Sequence, residues 1–545
     1  MTLIQQNYGA SNRTLPLLLK ALLGLSPFIF SQVSLAKTTA PKCVFSISES
    51  SIGCTFRPIS RFALSGVRIE APALISQTMW SASDLSLGDS ILSDGTAGQI
   101  NHDPRNAFNF QARLGLNIDT RKKYFPFIFS AHYEQDFMSG FFRGGESDAD
   151  AIALPLEQNP EYNAIRKAYA RLTLGPFLTV SAGRMTSHWG LGLLANDGAH
   201  GWQPKSAYFG DPRGGDRVNR VLLATGPWTR KKILFSMAYD KVASDDILLN
   251  EDQAEQVILA AIYGYKKTTQ IGAYVVQRTQ DIPQTNEGIS RQKETRVNVY
   301  DIYAKTRWHL PNELKLYAEF EGVFIDGTTT LAPSPEFPKS DVIQLALATK
   351  FKLESSRAGL VLDMIYASGD QNFDDGSQNG FKADPNYEFG LLLFRHVIAS
   401  HTGRAPITAS DLNLVGRPNE DLERFPSRGS VTNTIAIFPK AWARLTDGLE
   451  VYGGPLVAWG EVPLADPRNT RFNGGYPINL LGGQGGTYLG TELDLGLRFL
   501  MDLGGVARFN IGFEGAVFLP GNAFKSSGES MAQMYGGRLM AQTKF

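Results

Sequence analysis

Asn106-Ala107-Phe108-Asn109-Phe110-Gln111-Ala112-Arg113-Leu114-Gly115-Leu116-Asn117-Ile118 is the stretch that decides how this chain folds. Phe108, Phe110, Ala112, Leu114, Leu116 and Ile118 fall on every second position, with Asn109, Gln111, Arg113 and Asn117 between them. Side chains of an extended strand alternate between two faces, so this period of two makes one face apolar and the other polar. The alternation returns near the C-terminus. Leu493, Leu495, Leu497 and Phe499 interleave with Glu492, Asp494 and Arg498, and Phe509, Ile511 and Phe513 with Arg508, Asn510 and Glu514. The repeat predicts an all-β chain.

A soluble sandwich would alternate as well. Here the apolar stretches run about 10 residues, the length a tilted strand needs to cross a bilayer. Charge also stands at mid-strand, as Lys315, Glu319 and Glu321 between Leu314, Leu316, Ala318 and Phe320. The links then alternate in length. Short, turn-like links fall at 119–123, 175–176, 226–230, 266–269, 309–312, 354–356, 446–448 and 502–505. Long links rich in Gly, Pro and Asp fall near 77–105, 139–163, 185–216, 242–255, 280–294, 326–340, 368–430, 460–486 and 519–532. This rhythm predicts a transmembrane up-and-down antiparallel β-barrel of about 18 strands (16–18), with short periplasmic turns and long extracellular loops. Strands are expected to begin near 66, 106, 125, 164, 177, 217, 232, 256, 270, 295, 313, 341, 357, 431, 449, 487, 506 and 533, the first interrupted by Pro72. Aromatic residues at strand ends, among them Trp308, Trp442 and Trp459, are candidates for interface girdles.

Arg13 and Lys20 flank or interrupt an apolar run at 15–30, and Ser34-Leu35-Ala36 follows. Basic charge, a short apolar core and small residues at −3 and −1 predict a secretory signal over 1–36. A periplasmic segment would follow at 37–65, with Cys43 and Cys54 as a candidate disulfide in an oxidising compartment, and the barrel would occupy 66–545. Phe545 closes a final strand in phase with Leu539 and Ala541, the pattern of a terminal signal read by barrel-assembly machinery. The bacterial outer membrane and its lipid are the expected surroundings. Lys and Arg number 53 against 53 Asp and Glu, so no net charge draws the chain to nucleic acid.

The polar face is then expected to line a lumen. Candidate lining residues are Arg113, Glu134, Lys167, Arg171, Arg184, Lys305, Arg307, Lys315, Glu319, Glu321, Glu492, Asp494, Arg498, Arg508 and Glu514. Both signs occur, so the charges either pair across strands or grade the selectivity of a pore. The link at 368–430 carries apolar pieces at 389–394 and 397–398 beside Arg395, His396, His401 and Arg404. A long loop with apolar content folds into the lumen or packs over its mouth, so it is the candidate gate. No cofactor motif stands in a strand-turn-helix context. Asp370, Asn372 and Asp374 alternate as in a calcium loop, but the glycine comes one place late and the closing Glu is missing. His132 near Ser130, and His188 beside Ser187, are the candidates for a hydrolytic wall site, without a triad spacing.

Leu489-Gly490-Thr491-Glu492-Leu493-Asp494-Leu495 and Phe518-Leu519-Pro520-Gly521-Asn522-Ala523-Phe524 resemble the C-terminal end of the alginate-export family of outer-membrane barrels. Ala367-Ser368-Gly369-Asp370 with Asp374-Asp375-Gly376, and Gly183-Arg184, are similar to pieces of the same family. The run from Gly183 to Gly192, with Asn196-Asp197-Gly198 and Gly215-Asp216-Arg217-Val218, resembles instead an uncharacterised group of bacterial outer-membrane barrels. The resemblance implies a non-enzymatic channel or export pore for a polar solute or polymer, a polysaccharide being one candidate. A structural barrel binding an envelope partner, and a barrel hydrolase, are the alternatives.

Overall fold

The computed structural model describes residues 67–83, 105–120, 127–143, 162–199, 205–210, 214–245, 252–286, 289–331, 337–372, 375–402, 427–465, 481–503, 507–526 and 530–545. It also describes short pieces at 47–48, 51–52, 61–64, 85–91, 97–102, 247–248, 470, 473–474 and 476–479. The expected signal at 1–36, Cys43 and Cys54 lie outside the described residues.

Among the described residues, eighteen long strands form one closed ring. They are β1 (Ala73–Ala82), β2 (Arg105–Thr120), β3 (Ile128–Arg143), β4 (Tyr162–Leu174), β5 (Leu178–Thr186) and β6 (Arg217–Trp228). Next come β7 (Ile233–Ser244), β8 (Gln253–Tyr263), β9 (Gln270–Asn286), β10 (Ile289–His309), β11 (Lys315–Thr329) and β12 (Ser340–Glu354). The ring continues with β13 (Ala358–Ala367), β14 (Thr434–Arg444), β15 (Leu449–Trp459), β16 (Tyr488–Leu503), β17 (Ala507–Pro520) and β18 (Met534–Lys544). Each strand pairs antiparallel with its neighbour in sequence, and β18 returns to β1, from Gly536↔Ala82 to Lys544↔Leu74. Closure leaves no unpaired edge, which a sheet in a bilayer requires. No helix among the described residues is long and apolar enough to cross a membrane.

Cross-strand register shows where lipid meets the wall. Leu223, Met237, Leu259, Val275, Tyr300, Phe324 and Leu345 face one another along seven successive strands, β6–β12. All are exposed, from 38% to 55%, on the outside of the ring. Water would make such a contiguous apolar band costly, at about 25 cal/mol per Å². Toward the long-loop end, Arg184, Asn219, Lys241, Glu255, Thr279, Arg296, Thr328 and Asp341 form a polar row on the same outer face.

The hydrophobic core lies inside the ring. Val276, Val299, Val323, Ala346, Val361, Ile365, Phe438, Trp442, Leu456, Phe518 and Met534 point inward from the strands. They pack against Leu193, Phe209, Phe381, Phe389, Leu391, Leu392, Leu393, Phe394, Val397 and Ile398, which belong to links between strands. Full burial contributes about 1.5–3 kcal/mol for each large side chain.

The structure corrects three details of the strand reading. The link expected at 280–294 is largely sheet, because β9 and β10 stay paired to Asn286↔Ile289 and project as a long hairpin. The first wall strand runs from Ala73 to Ala82 after a break at Pro72, whose carbonyl accepts from Gly115 N at 2.8 Å, so the expected loop at 77–105 starts later. Trp442, expected near an interface, points into the lumen and is 2% exposed.

Candidate functional site: a bridged lumen

Inward charges on neighbouring strands pair at mid-wall. Arg113 of β2 grips Asp136 of β3 with two bonds of 2.6 and 2.7 Å. Arg166 of β4 reaches Glu134 at 2.9 Å and Asp136 at 3.7 Å, and Lys167 reaches Glu134 at 3.1 Å. Arg166 and Lys167 are adjacent in sequence, and a regular strand would turn one of them outward. The register shifts between Ile165 and Lys167, so a bulge brings both inside. Around the ring, Arg220 grips Asp240 with two bonds of 2.6 Å, Lys440 meets Asp363 at 2.6 Å, and Arg538 meets Glu514 at 2.5 Å. These buried pairs satisfy one another, because an unpaired charge there would be strongly destabilising.

The link between β5 and β6 uses the same groups to cross the lumen. Arg166 donates to the carbonyls of Gly214 and Asp197. On the far wall, Trp189 Nε1 donates to Asp301 Oδ1 at 2.8 Å, and its ring stands edge-on to Tyr274. The Glu321 carboxylate accepts backbone N–H bonds from Leu191 and from Leu193, the latter at 3.3 Å. Gly190 sits at φ +57°, where a Cβ would come 2.4 Å from Glu321 Oε2, so only glycine brings the backbone this close. Further along the link, Lys205 N donates to both oxygens of Glu450 at 3.1 Å. Arg498 donates to Ser206 O at 2.5 Å, and Arg538 donates to Phe209 O. Arg113 of β2 also donates to Gly198 O at 3.5 Å, and strands β2 and β11 stand nine places apart in a ring of eighteen, hence on opposite walls. One segment therefore ties both walls together at mid-height.

The link between β13 and β14 fills the space beside it. Its described part enters through Gly369 N donating to Glu461 Oε2 at 2.9 Å, and through Phe381 N donating to Ser368 O at 2.9 Å. Asp384 N donates to Leu193 O at 2.9 Å and joins the two links. A helical turn at Leu393–Ile398 follows. The Glu492 carboxylate accepts the N–H groups of Leu391, Leu392 and Leu393 at 2.5, 2.8 and 2.7 Å. Those are the amides a helix start leaves unbonded, and a carboxylate there is also favoured by the helix dipole. Arg395 pairs with Glu388. His396 stacks on Trp80 at 4.4 Å, and His401 stands edge-on to Phe524 at 5.9 Å. Arg404 lies outside the described residues.

Toward the short-turn end, the lumen face of β10–β12 carries Lys305, Arg307, Lys315, Lys350 and Lys352 against Glu319 and Glu354. Lys305 leans on Tyr303 at 5.8 Å, Arg307 on Tyr317 at 5.7 Å, and Lys350 on Tyr208 at 5.7 Å. Tyr303 donates to Glu319 at 2.6 Å, and Lys352 meets Glu354 at 2.8 Å. This sector holds a local excess of cations.

Of the candidate lining residues, Arg113, Glu134, Lys167, Arg171, Lys305, Arg307, Lys315, Glu319, Glu321, Glu492, Asp494, Arg498, Arg508 and Glu514 stand on the inward face. Arg171 donates to Ser181 Oγ at 3.0 Å. Arg184 does not join them. It is in register with Ala168 and Asn219 on the outer face, and it donates to Asn219 Oδ1 at 3.0 Å. The inward residues of that strand are Ser181, Gly183 and Met185, so its polar residue looks out and its Met looks in. Arg166, Arg220, Arg538 and the seating of 189–193 on Asp301 and Glu321 were not found by sequence reasoning. The signal available for the last was an apolar run in a link, Leu191 with Leu193-Leu194.

The carboxyl of Asp370 accepts from Asn372 N at 3.0 Å and Asn379 N at 3.2 Å, shaping its own turn, and Asp374 lies outside the described residues. No cluster of three or more metal-ligating groups occurs among the described residues. His132 meets Asn117 Oδ1 at 2.8 Å and stacks on Tyr169. His188 stands 3.8 Å from Asp197, and Ser187 Oγ makes no hydrogen bond, so His188 is not joined to its neighbouring serine.

No family model matches the sequence, and no curated protein matches it. The resemblance to the alginate-export family therefore gains no support from these comparisons, whereas the barrel class stands on the structure. Solved structures with a similar fold include the outer membrane protein OprD from Pseudomonas aeruginosa. That match has 10% identity and a TM-score of 0.47, and covers 88% of this chain and 93% of that one. A BenF-like porin from Pseudomonas fluorescens Pf-5 matches at 9% identity and a TM-score of 0.47, over 88% and 98% of the two chains. The outer membrane protein opdK from Pseudomonas aeruginosa matches at 10% identity and a TM-score of 0.47, over 87% and 98%. With its closed ring, outer apolar band and inward charges, the chain is an eighteen-stranded β-barrel of the bacterial outer membrane.

Proposed function

We propose that the barrel is a gated channel for small polar solutes, with a preference for anions. The observation that carries this reading is the crossing of the lumen by the β5–β6 link, held at single polar groups such as Glu321, Arg498 and Arg538. Such contacts break and re-form without unfolding the wall, which is what a gate needs. The cation excess on β10–β12 favours anions at one mouth, since rings of charged side chains set selectivity. A polymer such as a polysaccharide needs a continuous bore, and the crossing segment divides the bore at mid-height. A small solute therefore fits better than polymer export.

A second reading, a closed envelope barrel that serves a partner, draws support from the apolar core that fills the lumen. Planar-bilayer conductance of the refolded protein separates the two. Infrequent anion-selective openings that become frequent in Glu321→Gln, which loosens the β5–β6 link, and turn toward cations in Lys305→Glu with Lys350→Glu, are the expected result. Silence from all three proteins would overturn the channel and leave the closed barrel.

A further inference from the structure

The short-turn rim carries its charge unevenly. The turn between β6 and β7 presents Arg230, Lys231 and Lys232, and the turn between β8 and β9 presents Lys266 and Lys267. All five are exposed, and neither turn contains a carboxylate. None of the five forms an ion pair among the described residues. Elsewhere on the rim, Glu313, Glu354 and Asp447 bring acids to the turns after β10, β12 and β14.

The two basic turns are joined into one platform. Gly264 N donates to Lys231 O at 3.1 Å, Tyr265 N to Lys232 O at 3.0 Å, and Lys267 Nζ to Arg230 O at 2.5 Å. Lys232 and Lys266 both stand at φ +60°, a region costly for any residue with a Cβ. The turn after β10 places Asn312 and Glu313 at φ +59° and +60°, so the backbone itself does not ask for lysine. What lysine adds there is charge. Just inside the platform, the outer face of the wall ends in rings. Tyr263 faces Ile271 across β8 and β9, both exposed, and Phe177, 70% exposed, stands edge-on to Trp228 at 5.5 Å. Aromatic side chains at that edge lie at headgroup level. Short turns of an outer-membrane barrel face the periplasm, so the cations lie beside the phosphates of the inner leaflet.

We propose that these two turns bind the phosphodiester of an anionic glycerophospholipid, with phosphatidylglycerol as the type, in the inner leaflet. The headgroup takes donors from both turns, and the acyl chains run along the apolar face past Tyr263 and Ile271. Continuity with the lipid-facing band favours a lipid over an acidic soluble partner, which would need the cations alone. The site is independent of the channel reading, since it lies on the rim and the outer wall.

The test is native mass spectrometry of the full barrel released from a non-ionic detergent, with phosphatidylglycerol and phosphatidylcholine of the same acyl chains as competing probes. A basic residue near an anionic headgroup favours it by roughly fivefold, so phosphatidylglycerol should be retained at least about tenfold over phosphatidylcholine. Arg230→Gln, Lys231→Gln and Lys266→Gln together should bring that ratio to about one. Arg184→Gln, Lys241→Gln and Arg296→Gln, which remove the same charge from the long-loop end of the outer face, should leave it unchanged. Equal retention of the two lipids by the wild type would overturn the proposal and leave the turns to an acidic soluble partner. An equal fall in both triple variants would overturn it by showing that net charge alone sets the preference. Displacement of the lipid by an equal concentration of glycerol 3-phosphate would overturn it as well, since a free phosphate would then suffice. If the turn variant fails to fold, as read by heat-modifiable gel mobility, the wild-type ratio and the glycerol 3-phosphate competition still decide.

Discussion

Glu321→Gln tests whether the β5–β6 link is a gate. The native carboxylate accepts two backbone amides of that link, from Leu191 and Leu193. Asp301, a diagonal neighbour one strand away, hydrogen-bonds the same carboxyl. Glutamine keeps the volume, but it offers one acceptor oxygen and turns an NH2 toward the other amide. One amide bond is kept and the other is lost, and a buried N–H left unpaired costs about 1–3 kcal/mol. A net loss of about 2 kcal/mol raises the released fraction of the link roughly 30-fold, at tenfold per 1.4 kcal/mol. Single-channel recording reads that fraction as open probability. Glu319→Gln is the control, since Glu319 accepts from the wall residue Tyr303 and not from the link. An unchanged open probability in a well-folded Glu321→Gln barrel would refute Glu321 as a latch. The same rise in Glu319→Gln would show that wall charge, and not the latch, controls opening.

Gly190→Ala places a Cβ against the same carboxylate at a left-handed φ, so it should mimic Glu321→Gln, with about 1–2 kcal/mol of loop destabilisation and more frequent openings. Arg166→Ala leaves Glu134 and Asp136 short of a partner and frees two link carbonyls, so the midpoint of urea unfolding should fall by the equivalent of about 3–5 kcal/mol. Asp370 is raised by burial to about 6, from an unfolded value near 3.9. The folded form therefore holds the proton more tightly, its contribution is full below about pH 4, and it is lost as pH rises through about 6. Exchange of the Asn372 and Asn379 amides should quicken between pH 5 and 7 beyond the intrinsic rate, and Asp370→Asn should flatten that difference.

The wall was legible in the sequence because a period of two is a local signal. Arg217, Gln270 and Leu449 start strands where the alternation places them, and others begin within a few residues. The lumen was less legible because the reading equates polar with inward, and that holds only where water fills the pore. Here Met185, Trp442 and Phe518 point inward onto apolar links, while Arg184 and Asn219 form part of the outer polar row. The bulge at Arg166 breaks the period by one residue, which no alternating frame can accommodate. The link at 368–430 showed itself by apolar content, yet its seat on Glu492 and Trp80 depends on strands about a hundred residues later and three hundred earlier.

Closure of the ring has a consequence for biogenesis. Phe545 N donates to Ala73 O at 2.8 Å, and β18 pairs along the length of β1, so the seam that seals the cylinder joins the two ends of the barrel sequence. Every nascent form lacking the last strand presents two raw hydrogen-bonding borders, and in hydrocarbon each unsatisfied backbone group costs several kcal/mol. Stepwise insertion, one hairpin after another into an unprepared bilayer, is thereby unfavourable until residue 545 has arrived. The cylinder is an all-or-nothing object whose final stitch is also its first.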